Sequence, residues 1–236
     1  SKRHGATSIL DYRDQGYLPE AVLNFMALLG WSLDDRTEVM SAEILKENFS
    51  LERVSRSPAI FDQEKLLWMN GLYIRELTVE DLAERLTPFL ERGLPEELLP
   101  VDRDYLLRIV PLIRERIKLL SEVAEMITYF FLEEVDYDPA DLAQRGMDQE
   151  STVAALRLAR DELTAVEAFE HQQLEDTLRA AGTALGLAAR QFFGTLRVAV
   201  TGRTATPPLF ETMEVVGRER VLSRLGTAVV RLTGSY

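Results

Sequence analysis

Apolar residues recur along this chain mostly three and four positions apart, the spacing that gathers side chains on one stripe of an α-helix. Pro19-Glu20 leads into Ala21, Val22, Phe25, Met26 and Leu29 and then Gly30. Proline in the first turn, an apolar face and a terminating glycine predict a helix there. Ser41 is placed to cap a short helix through Ile44, Leu45 and Phe49, and Asp62 to cap another over residues 65–70, with Gly71 as an interruption. Thr78-x-x-Asp81 resembles a capping box ahead of Leu82, Leu86, Phe89 and Leu90, and Gly93-x-Pro95 closes that segment. Residues 102–120 continue the pattern with Pro111 as a kink or break, and Ser121 restarts it through Val123, Ile127 and Phe131.

Beyond the turn-rich residues 135–139, apolar positions at 153–163 and 166–185 predict two more helices. Val198-Ala199-Val200 leads into a loop by composition at 201–208, and helical segments at 209–216 and 219–231 are parted by Gly217. Strand signals are sparse, with short β pieces expected only around residues 7–10 and 72–77. The pattern predicts a mainly α protein with a small α+β element at its front, followed by an all-helical region. Trp31 and Trp68 each sit in an apolar stretch and are expected in the core, whereas His171, in a charged helical stretch, is expected at the surface.

Composition narrows the chemistry. The 236 residues contain no cysteine and two histidines, His4 and His171, so disulfides, zinc–thiolate sites and cysteine nucleophiles are excluded and little remains for metal or general-base chemistry. No apolar run approaches the ~20 residues of a membrane span, so no membrane partner is expected. The start, Ser1-Lys2-Arg3-His4-Gly5, reads as a cut inside a longer chain and not as a signal peptide. Carboxylate pairs such as Glu133-Glu134 and Asp34-Asp35 read as solvated turn residues, and no catalytic constellation is complete.

The net charge of −12 argues at first against a phosphate-rich partner. Its distribution changes that picture, because residues 76–165 hold 21 acidic and 10 basic side chains whereas seven arginines face three glutamates from Arg190 onward. Arginine's planar fork suits phosphates and base edges, so the C-terminal excess is a candidate RNA footprint. The alternative is a helical protein-interaction module with an acidic docking surface and no RNA partner. The two part on whether those seven arginines share one open face.

Two ends of the chain carry recognisable motifs. Ser1-Lys2-Arg3 resembles the tail of the lysine loop of class I aminoacyl-tRNA synthetases, and Tyr12-Arg13-x-x-Gly16-Tyr17-Leu18-Pro19-Glu20-Ala21 resembles its continuation in the glutamyl-tRNA synthetase family. Arg53-x-Ser55-x-Ser57-Pro58-Ala59-x-Phe61-Asp62 and Thr201-Gly202-Arg203-x-x-x-Pro207-Pro208-Leu209-Phe210-Glu211 are similar to that family in order and spacing. The resemblance spans essentially the whole chain and places it in the C-terminal half of such an enzyme.

What the resemblance implies is specific. Residues 1–80 would hold the end of the lysine loop and a stem-contact domain, and 81–165 and 166–236 two helical anticodon-binding subdomains. The parent would activate glutamate with ATP and Mg²⁺ and transfer it to tRNA(Glu), with tRNA(Gln) left open, as a cytoplasmic monomer that binds no DNA. This part, without the nucleotide-binding Rossmann domain, would need no cofactor and would be inactive alone. Ser1, Lys2 and Arg3 would be the ATP-binding remnant. Arg197, Thr206, Pro207 and Leu209 would meet the anticodon, the Thr206 hydroxyl facing a base with Leu209 packed beneath it. An arginine of the helical stretch 114–117 would judge the third anticodon base, and Arg116 is assigned to it, the bland reading being an ion pair with Glu115 or Glu122.

Overall fold

In this computed structural model the structure describes residues 8–55 and 60–234. The chain forms two compact units, Ser1–Met126 and Ile127–Tyr236. The sequence expectation places divisions at 80/81, which falls within the helix Val79–Gly93 of the first unit, and at 165/166, which falls inside the second unit.

The first unit contains α1 (Ile9–Gln15), α2 (Pro19–Leu28), α3 (Ala42–Asn48), α4 (Gln63–Glu76), α5 (Val79–Gly93) and α6 (Arg103–Ile113), and α7 (Val123–Ile127) runs to its end. Caps set most of these starts. Ser8 and Asp11 form a reciprocal capping box, and Ser41, Asp62, Thr78 and Asp102 each accept a hydrogen bond from a backbone amide in the first turn of the helix that follows. α1 ends at Gly16, which takes φ 90° where a Cβ would lie 2.6 Å from the amide nitrogens of Leu120 and Ser121, so the close approach of the 120–122 turn requires glycine.

No strand is present among the described residues. The expected β piece at 72–77 lies almost wholly in α4, because Leu66, Met69, Asn70, Tyr73 and Ile74 all fall on one buried helical stripe, a period of 3.6 that outweighs the local β preference. At the front, α1 occupies residues 9 and 10 of the other expected piece. Gly71 does not interrupt α4 but is buried in it, and α6 passes through Pro111 and ends two residues later. Trp31 is buried with Met40 and Leu45, whereas Trp68 is 45% exposed, because it projects from the α4 face opposite Leu66 and Met69.

Two asparagines pin this unit. Asn70, fully buried, accepts from the Leu18 amide at 2.8 Å and donates to the Lys118 carbonyl, with the Gly16 carbonyl at 3.4 Å. Asn24 accepts from the Met40 amide and the Tyr73 hydroxyl, both at 2.8 Å. The Asn70 amide is satisfied at both its oxygen and its nitrogen, whereas the buried Asn24 nitrogen has no hydrogen-bond partner among the described residues, and both side chains join segments far apart in sequence.

The second unit holds α8 (Gln149–Ala165), α9 (His171–Ala184), α10 (Ala189–Thr201), α11 (Leu209–Val216) and α12 (Arg218–Thr233). α8 packs on both α9 and α12, and α10 packs on α8, α9 and α12, around a core that includes Leu156, Leu163, Phe192, Leu196 and Leu225. Each such side chain, fully buried, stabilises the fold by about 1.5–3 kcal/mol relative to exposure.

α9 is tied to α11 at its first residue. Glu214 accepts from the His171 backbone amide at 2.6 Å and contacts His171 Nδ1 at 2.8 Å, so the expected surface histidine is exposed but paired. The hydrogen bond to Glu214 raises the His171 pKa above its ordinary value. A raised folded-state pKa means the pair's contribution is fully present below about pH 6.5 and is lost as pH rises through the folded value. His171→Gln is expected to remove that pH-dependent component, and an NMR titration of the wild-type imidazole is expected to give a midpoint above 6.5; a midpoint at or below it would exclude the pairing.

Candidate nucleic-acid interface

The loop that carries the C-terminal motif is built by α10. Thr201 Oγ1 donates to the Arg197 carbonyl at 2.7 Å and accepts from the Arg203 amide at 3.2 Å. Gly202 then caps the helix at φ 71°, where a Cβ would lie 2.6 Å from the Asp136 carbonyl oxygen. From the exposed stretch Thr204-Ala205 the chain dips inward at Thr206-Pro207, surfaces at Pro208, and enters α11 at the buried Leu209. Pro208, held at φ −52° and ψ 134°, is the extended residue that starts α11.

Arg197, Thr206, Pro207 and Leu209 are therefore brought together, but their exposed surface is small. Arg197 donates to Thr206 Oγ1 at 2.7 Å and to the Pro207 carbonyl at 3.2 Å, and the Thr206 hydroxyl in turn donates to that carbonyl at 2.9 Å. Thr206 and Pro207 are buried, so in this arrangement the hydroxyl faces into the loop, and Thr204, Ala205 and Pro208 form its outer surface.

Arg116 belongs to the first unit. It follows the end of α6 in a turn at 114–116 rather than in a helix, because the α6 hydrogen-bond ladder stops with Ile113, whose carbonyl accepts from the Arg116 amide at 2.8 Å. Its side chain is exposed, and the two carboxylates that would neutralise it are engaged elsewhere among the described residues. Glu115 lies 3.7 Å from Arg75 and 4.0 Å from Arg114, and Glu122 accepts from the Lys118 and Leu119 amides. Arg75, Arg114 and Lys118 thus lie at or beside this turn, and Arg114 Nε is buried with no hydrogen-bond acceptor among the described residues. The sequence reading did not single out Arg75 or Lys118, and no signal in the chain places Arg75 beside a turn 40 residues away. Ser1, Lys2, Arg3 and His4 lie outside the described residues.

The seven C-terminal arginines do not form one open face. Arg224, 2% exposed, donates to the carbonyls of Tyr129, Leu132, Glu133 and Val200. Arg218 donates to the carbonyls of Leu163, Thr164, Val166 and Glu167, closing the C-terminal end of α8, where acceptors are left over and the helix dipole favours a cation. Arg220 reaches the Phe130 carbonyl, and Arg231 lies over the Tyr137 ring at 4.5 Å. Arg203 lies over the Tyr129 ring at 6.0 Å, leaving Arg190 as the arginine among them classed as exposed. Much of the C-terminal positive charge is therefore internal scaffolding, and charge distribution alone does not separate an RNA partner from a protein one.

Sequence similarity does separate them. Residues 81–229 match the anticodon binding domain family. This chain belongs to that family. Residues 1–68 match the catalytic domain of class I tRNA synthetases (E and Q). Glutamate–tRNA ligase of Dehalococcoides mccartyi strain 195 is 46% identical over 99% of this chain and 48% of its own length. Its counterpart in Roseiflexus castenholzii is 48% identical over 100% of this chain and 47% of its own length. Among solved structures, a glutamate–tRNA ligase of Elizabethkingia meningosepticum superposes with a TM-score of 0.80 at 25% identity, covering 94% of this chain and 43% of that one. The resemblance to glutamyl-tRNA synthetases is thereby borne out, and this anticodon-binding family member spans about half the length of the curated relatives it matches. No helix among the described residues is long and apolar enough to cross a membrane.

Proposed function

We propose that this chain is the tRNA-binding, anticodon-recognising part of a glutamate–tRNA ligase, whose whole chain joins glutamate to tRNA(Glu) at the expense of ATP with Mg²⁺. The observation that carries this reading is the match of residues 81–229 to the anticodon binding domain family. Single-stranded bases are recognised by stacking and by hydrogen bonds to their edges, and the chain offers two places for such contacts. One is the loop braced by Arg197, Thr206, Pro207 and Leu209. The other is the exposed Arg116 on its basic turn, whose guanidinium has no ion-pair partner among the described residues and can be offered to a base edge or phosphate. ATP chemistry belongs to the lysine-loop residues Ser1, Lys2 and Arg3 together with the rest of a complete enzyme. Among the described residues no group of three or more His, Cys, Asp or Glu side chains is arranged to hold a metal ion.

Filter binding to tRNA(Glu), tRNA(Gln) and an unrelated tRNA at several salt concentrations tests this reading. Wild-type chain is expected to bind tRNA with a salt dependence that reflects phosphate contacts. Arg116→Ala is expected to narrow the preference for an anticodon ending in C over one ending in G by about 1–3 kcal/mol while leaving helix content unchanged. Equal loss of affinity for every tRNA would assign Arg116 to the phosphate backbone, and absence of any tRNA binding would exclude the reading.

A further inference from the structure

The arginines of the second unit show what a structural guanidinium looks like in this chain. Arg218 and Arg224 each donate to four backbone carbonyls. The cations just past the end of α6 are held differently. Residues 76–165 carry 21 acidic and 10 basic side chains, and three of those ten, Arg114, Arg116 and Lys118, fall within five positions. Arg75 joins them from α4.

A glycine brings Arg75 and Lys118 together. Gly71 is buried inside α4, where glycine weakens a helix. The Cβ it lacks would lie 3.3 Å from Arg75 Nη1 and 3.5 Å from Lys118 Cγ, so this notch lets both cationic side chains lie against the same stretch of helix. The turn beneath them is fixed. Ile113 and Ile117 are buried, Asn70 donates to the Lys118 carbonyl, and Glu122 accepts from the Lys118 and Leu119 amides.

The counter-charge is thin. Glu115 lies 3.7 Å from Arg75 Nε and 4.0 Å from Arg114 Nε, beyond the ~2.7–2.9 Å of a charge-assisted hydrogen bond, and its side chain is 67% exposed. Arg114 Nε is buried with no acceptor among the described residues, although a charged donor shut away from water ordinarily has one. Like charges gathered this closely repel one another unless an anion lies between them.

Resting on the reading above, we infer that Arg75, Arg114 and Lys118 form a cradle for one backbone phosphate of the bound RNA chain, and that Glu115 stands in it until the phosphate displaces it. A phosphodiester is free to close to hydrogen-bond distance, which Glu115, tethered to the turn, does not. Its unbridged oxygens suit the planar forks of two arginines, with Lys118 adding a point charge. The cradle holds the strand and Arg116 meets what the strand presents, because phosphate contacts fix register without reading sequence.

Filter binding and an NMR titration of the 236-residue chain test the cradle. Arg75→Gln with Lys118→Gln is expected to weaken tRNA(Glu), tRNA(Gln) and an unrelated tRNA equally, by about tenfold, and to lower the salt slope by about one, the loss of a single phosphate contact. Glu115→Gln is expected to tighten all three by about threefold, since it removes the stand-in; a purely structural ion pair would instead lower the melting temperature and leave binding unchanged. Addition of tRNA is expected to shift the Arg114 Nε–H resonance in the wild-type chain and not in the Arg75/Lys118 variant. Losses that differ among the tRNAs would put these residues on a base and overturn the cradle. So would inorganic phosphate that shifts the Arg114 resonance while the Arg75/Lys118 variant binds tRNA like wild type, since the site would then serve a free anion. Wild-type affinity and salt slope in that variant defeat the cradle alone, whereas a wild-type chain that binds no tRNA defeats the tRNA reading itself.

Discussion

Arg224→Met is expected to destabilise the second unit by about 3–5 kcal/mol, the largest effect of any single substitution considered. The guanidinium is almost completely buried and gathers the carbonyls of Tyr129, Leu132, Glu133 and Val200, which come from the end of α10 and the segment after α7. Replacing a buried ion pair by apolar residues is often harmless when both partners go together, but here the acceptors are backbone and stay behind. Each orphaned buried carbonyl costs about 1–3 kcal/mol, so a side chain of matched volume does not rescue the site. Arg224→Lys is expected to recover only part of the loss, because a compact ammonium cannot fork toward four oxygens. Urea unfolding followed by circular dichroism reads this directly, with Arg190→Ala, an exposed position, as a control expected within about 0.5 kcal/mol of wild type. A loss below 1 kcal/mol for Arg224→Met would show that water or rearranged backbone takes up the carbonyls.

In the first unit the corresponding joint is Asn70. Asn70→Ala is expected to cost about 2–4 kcal/mol, since it strands the Leu18 amide and the Lys118 carbonyl in a dry interior at once. Asn70→Asp separates hydrogen bonding from shape. The acid retains an acceptor for Leu18, but its second oxygen faces the carbonyls of Lys118 and Gly16 where the amide donated. Burial and these carbonyls raise the carboxyl pKa in the folded state, so the folded protein binds the extra proton and stability falls as pH rises. The variant is expected to regain stability as pH is lowered through that titration, relative to wild type at the same pH. A pH-independent loss equal to that of Asn70→Ala would mean that the side chain acts by filling space.

Much of the helical framework was legible in the chain because its causes are local. Ser41, Asp62 and Thr78 cap the helices they precede, and 209–216 and the helix after Gly217 fall where periodicity put them. The errors arose where local preference and tertiary packing disagreed. Residues 72–77 look β-prone taken alone, yet they continue a buried stripe that begins at Leu66. Trp68 is apolar in an apolar stretch but stands on the outer side of that same stripe.

For the candidate interface the division is sharper. The order and spacing of motifs from Ser1 to Glu211 were enough to place the chain among glutamyl-tRNA synthetases, because such motifs persist as linear patterns. They were also enough to pick out Arg197, Thr206, Pro207 and Leu209 as one group. Which arginines are left facing solvent and which hold the protein together was not written in the order of residues. Arg218 and Arg224 look like any others in the C-terminal cluster, and only folding brings backbone carbonyls of 129–133 and 163–167 to their guanidinium groups. Sequence by itself determined most of the helices, several of their caps and the family. Tertiary structure alone decided the fate of each charge, because a cation's role depends on which acceptors surround it and how much water remains, and both are set by segments distant along the chain.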